Sequence, residues 1–77
     1  MQGQNMQGQT EIFVVIDGVE KFEYWSYVVP RAGESVSIEY KNVDGLHIVR
    51  GVTHSVYKDS RGDLITCVTI HLESVRI

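Results

Sequence analysis

The sequence predicts a small all-β fold, an antiparallel five-stranded barrel or strongly curved sheet. Three observations carry that prediction. Apolar and polar residues alternate at period two in one run after another. Gly, Asp, Asn and Pro separate the runs at short, even spacing. No stretch keeps a helical period over a convincing length.

Thr10 to Asp17 is the first predicted strand. Ile12, Val14 and Ile16 share one face, and Phe13 and Val15 share the other. Apolar residues on both faces indicate a central strand or one covered on both sides. Asp17-Gly18 is a tight-turn signal. The second strand runs from Val19 to Val29 and closes at Pro30, which has no backbone donor. Within it Phe22, Tyr24, Ser26 and Val28 alternate with Glu23, Trp25, Tyr27 and Val29. One set enters the core, which leaves Trp25 and Tyr27 outside it. They either seal the open end of the core or anchor a partner.

Pro30 to Glu34 is a connection, and Ser35 to Lys41 is the third strand, with Val36, Ile38 and Tyr40 facing inward. Asn42 to Gly45 turns the chain. From His47 to Glu73 two strands flank the polar loop Lys58-Asp59-Ser60-Arg61-Gly62-Asp63. Leu64, Thr66, Val68, Ile70 and Leu72 form one face of the last strand, and Ile65, Cys67, Thr69 and His71 the other. The strand before the loop keeps phase at Val52, His54 and Val56, but Ile48 and Val49 are adjacent. A β-bulge at Arg50-Gly51 puts Val49 and Val52 on the same side. Directly opposed residues face the same way, so Val56 should pair with Thr66, His54 with Val68, and Val52 with Ile70.

At 77 residues the chain makes one domain, with a tail at 1–9 and a single β domain at 10–77. The tail contains MQGQ twice and has nothing to bury, so it is expected to be disordered. A domain of this size buries only about 60% of the surface its unfolded chain exposes, so its core is thin unless it associates. A net charge of −3 disfavours non-specific nucleic-acid binding. No apolar run reaches membrane-spanning length, so no membrane partner is expected. The lone Cys67 cannot form an internal disulfide, and the N-terminus lacks a basic start and an apolar stretch. A cytoplasmic location is the expectation.

The stretches VVPRAGESVSIEY, HIVRGVTHSVY and LITCVTIHLE resemble a pattern in small uncharacterised bacterial and phage or mobile-element proteins. There a Pro-Arg-x-Gly-Glu/Asp-x-Val segment precedes a strand with Val-x-x-Val-x-His. The layout is also similar to SH3-like barrels, in which a Gly-Glu/Asp-x-Val segment starts a strand and a meander follows. The resemblance runs roughly from Val28 to Leu72 and implies a fold, with no activity or residue role attached.

Residues that could carry chemistry are few. Cys67 and His71 share a face but lie about 13 Å apart along the strand, too far for a common metal ion or a nucleophile–base pair. There is no glycine loop for phosphates. No metal, cofactor or catalytic residue is therefore expected. His54 stands on an apolar face, either bonded at the margin of the core or as a contact residue. Arg31, Lys41, Arg50, Lys58 and Arg61 would form a stacking and phosphate-contacting surface if they met beside Trp25 and Tyr27. The leading reading is a non-catalytic interaction module that pairs with itself or another protein through Trp25, Tyr27, Arg31, Arg50 and His54. The alternative is a barrel that binds single-stranded nucleic acid.

Overall fold

The computed structural model describes residues 8–75. Most of the expected tail, residues 1–7, lies outside the described residues, as do residues 76–77. Five strands form: β1 (Thr10–Ile16), β2 (Val19–Ser26), β3 (Ser35–Ile38), β4 (Gly45–Lys58) and β5 (Leu64–Ser74). A short 3-10 turn at Lys41–Val43 joins β3 to β4. The strands make one sheet in the order β2-β1-β5-β4-β3, curled into a half-barrel whose open edges are β2 and β3.

The sheet is mixed. β3, β4 and β5 form an antiparallel meander, and β1 and β2 an antiparallel hairpin. The two are joined by β1 and β5 running parallel, from Ile12 beside Val68 to Ile16 beside Leu72. An expectation built on tight turns contains only antiparallel pairs. The parallel pair joins strands far apart in the chain, and no local turn marks it. β1 is central, as its two apolar faces require.

Ile12, Val14 and Ile16 of β1 meet Val68, Ile70 and Leu72 of β5 in the core, with Val49 and Ile38 from the meander. Phe22 and Tyr24 pack against its side. The β4–β5 register is the one the alternation predicts: Val56 opposes Thr66, His54 opposes Val68, and Val52 opposes Ile70. The register shifts between Val49 and Gly51, leaving Arg50 as the extra residue. The β1–β2 turn has Asp17 at φ 50° and Gly18 at φ 87°. Two successive positive φ values match the turn that follows strand twist.

Two elements end sooner than the alternation suggests. β2 stops at Ser26, leaving Tyr27 and Val28 exposed. β3 stops at Ile38, and Tyr40 is 43% exposed. The core-side face of β4–β5 continues past the core, so Val56 is 64% and Leu64 70% exposed. β1 pairs with β5 only from Val68 onward, and on that side no described strand lies beside the earlier residues of β5, which pair with β4 alone. At about 3.3 Å per residue, the 14 residues of β4 account for the molecule's 47 Å long axis.

Candidate functional site

The residues predicted to make contacts do not fall on one surface. Arg31 and His54 come together in a cleft of about 430 Å³, where Val29, Pro30 and Ala32 of the β2–β3 connection cross over Val52. Trp25 is half-buried and opposes Glu11, so it shares the outer face of the sheet with Phe13. Tyr27 is exposed just beyond β2. Arg50 projects from the bulge and donates to Glu73 Oε1 at 2.6 Å. Arg31 has its partner in Glu34, which also accepts from the Arg31 amide at 2.7 Å. Arg61 lies 3.6 Å from Asp63. Each of these cations is thus answered by a carboxylate of its own neighbourhood.

The distal part of the β4–β5 hairpin is an arm with apolar side chains on both faces. Val56 and Leu64 lie diagonally across the strands on the core side. Tyr57 opposes Ile65 on the other. Further in on that outer face, Cys67 opposes Ser55 and is buried as a free thiol. The loop at the tip is ordered by Asp59, whose Oδ1 accepts from the amides of Arg61 and Asp63, both at 2.9 Å.

Searched against protein-family models, curated proteins and solved structures, the chain matches none of them. Its candidate sites therefore rest on its own geometry.

Two further sites are present. The first is the open seam of the half-barrel, a cleft of about 470 Å³ between β2 and β3. Val14, Ile70 and Leu72 lie at its base, and Phe22, Tyr24 and Tyr40 stand around it. The Phe22 and Tyr40 rings meet across the seam with centroids 5.0 Å apart. Burial raises the Tyr24 phenol above its ordinary pKa, so it stays neutral. Glu23 and Glu39 also line the cleft.

The second is a polar cluster that the sequence reading missed. His47 is 4% exposed, and its Nε2–H donates to the Val43 carbonyl at 3.0 Å. Its Nδ1 lies 3.4 Å from Ser74 Oγ, which donates to Asp17 Oδ2 at 3.0 Å. Serine stands between the carboxylate and the imidazole. In a nucleophilic triad the imidazole stands in the middle, taking the hydroxyl proton from one nitrogen and held by the acid on the other. Here the hydroxyl is turned to the carboxylate, and the remote nitrogen faces a backbone carbonyl. The arrangement ties the β1–β2 turn, β5 and the start of β4 together. The signal was available in the phase: once Arg50 is bulged, His47 falls on the face of Val49.

His54 has the opposite outcome. It lies on the core-side face but is exposed, because β4 has run past the strands that would cover it. Among the described residues, no three His, Cys, Asp or Glu side chains converge as metal ligands. Among the same residues no helix is long and apolar enough to cross a membrane.

Proposed function

We propose that this chain is a non-catalytic β interaction module that associates with copies of itself through the β4–β5 arm. The observation that supports this reading is the bare apolar surface on that arm, with Val56 and Leu64 on one face and a 48% exposed Tyr57 on the other. An isolated two-stranded hairpin is marginal in water. A cover over Val56 and Leu64 would supply up to about 1.5–3 kcal/mol for each fully buried side chain. A second copy is the simplest cover, since a two-fold interface buries the same patch on both partners.

The Ser74–His47 geometry supports a non-catalytic reading, because the Ser74 hydroxyl donates to the Asp17 carboxylate and the far nitrogen of His47 is held by a backbone carbonyl rather than an acid. The pairing of Arg31, Arg50 and Arg61 with carboxylates favours protein contacts over single-strand binding, which needs cations free for phosphates. The unpaired Cys67 fits a reducing, cytoplasmic setting.

Light scattering after size exclusion tests the proposal. The native chain is expected to run as a dimer or larger assembly at both low and high salt, and Leu64→Glu as a monomer. A native monomer at high concentration overturns self-association. A mass increase only with short single-stranded oligonucleotides at low salt would replace it with the nucleic-acid reading.

A further inference from the structure

The seam between β2 and β3 combines three features that point to one kind of occupant. It is walled by the rings of Phe22, Tyr24 and Tyr40. Among the described residues, the charged ones that line it are Glu23 and Glu39, both acidic. It is flanked by two strands that are the edges of the sheet, whose outer backbone groups have no partner strand among the described residues. The faces of aromatic rings attract cations, most strongly where water is partly excluded. The chain already shows this: the Lys41 ammonium sits 5.2 Å from the centroid of the Tyr40 ring. Lys41 holds that place from a backbone at φ 52°, a conformation unusual for a residue with a side chain.

We propose that this seam binds an extended peptide with basic side chains, added as a strand along the free edge of β2. β2 is the longer edge, at eight residues against four for β3. A strand placed there points alternate side chains to the same side as Phe22 and Tyr24, into the cleft. A lysine or arginine at such a position enters among the three rings with Glu39 at the rim. The intervening side chains face the outer side of β2, where Glu20 and Glu23 stand. The added strand therefore meets Glu39 on the cleft side and Glu20 and Glu23 on the other, and the edge selects for positive charge. Lys21, the one cation on this strand, lines a separate cleft with His47. Main-chain pairing supplies affinity, and the ring-and-carboxylate seat supplies specificity.

This goes beyond self-association and does not depend on it, since the arm and the seam use different residues. A fluorescein-labelled octapeptide alternating lysine and valine is the probe, with a second octapeptide carrying glutamate for lysine as its control. Fluorescence anisotropy reads affinity, and amide NMR shifts locate the contact. The lysine peptide is expected to bind, shifting amides along β2 and around Tyr40, and the glutamate peptide to stay free. The double variant Glu23→Gln with Glu39→Gln should weaken binding about tenfold, as should Tyr40→Ala, while Tyr40→Phe keeps it. Binding should persist in the Leu64→Glu variant, which separates this result from the oligomeric state. Equal binding of the two peptides, no binding of either, or affinity untouched by the double glutamine variant would overturn the proposal.

Discussion

His47 and His54 lie on the same strand and the same side of the sheet, yet one is buried and bonded while the other is open to solvent. Removing His47 empties a buried site and leaves the Val43 carbonyl without its donor. His47→Ala is expected to lower unfolding free energy by about 2–3 kcal/mol, and His54→Ala by no more than about 0.5 kcal/mol, as read by urea denaturation. The sequence placed His54 on the core-side face but not its exposure, because alternation gives a side chain's direction and not what covers it. Glu11 is a second case. Burial, then the nearby charge of Glu23, raises its carboxyl above the ordinary pKa. A raised acid binds its proton more tightly in the folded state, so its ionisation reduces stability at neutral pH. That penalty is absent below the ordinary carboxylate range. Glu11→Gln should therefore stabilise the protein by a few tenths of a kcal/mol, roughly, at pH 7. The gain should vanish at acid pH; a gain that persists there would rule out this cause.

At the scale of elements, the hairpin from His47 to Glu73 was the most legible part of the chain. Turn chemistry and period two are local properties, and together they gave the register and the bulge at Arg50. The bulge sets the phase of everything before it in β4. Were Arg50 held in the ladder without a bulge, His47 and Val49 would turn to the outer face and the neighbouring Ile48 would turn inward. Deleting Arg50 leaves a regular ladder with His47 and Val49 still on the core side, so the folded far-UV dichroism is expected to survive it. Arg50→Ala, which removes only the exposed pair with Glu73, should lower stability by less than about 1 kcal/mol. Loss of the folded dichroism in the deletion variant would deny Arg50 its place as the extra residue. Strand ends were less legible. Val28 and Tyr40 continue an alternating pattern, but each lies where the chain has already left its strand. A pattern can outlast its strand when no neighbour remains to pair with.

Across the whole molecule, the consequential feature is what the curled sheet leaves uncovered. Its core is a narrow double row from β1 and β5, closed on one side by the meander. The large apolar side chains left exposed are as numerous as those buried among the described residues. Scattered singly, such residues are ordinary on a protein surface. Here Val56, Tyr57 and Leu64 gather on the arm, and Tyr40 stands at the seam. The Leu64→Glu mass measurement and the lysine-peptide titration belong to this scale, because each asks what completes a surface that the fold leaves open. One outcome does not entail the other.

By itself the sequence determined the all-β class, the five strands, the pairing of β4 with β5 and the central place of β1. Those follow from alternation, turn residues and branched side chains, which act between near neighbours. Only the tertiary structure decided that β1 runs parallel to β5, that Phe22 meets Tyr40 across the seam, that His47 is enclosed with Ser74 and Asp17, and that the arm runs past its cover. Each of these depends on which distant edges come together and how far they overlap. That is set by the burial of the whole core, to which no single segment's pattern is a guide.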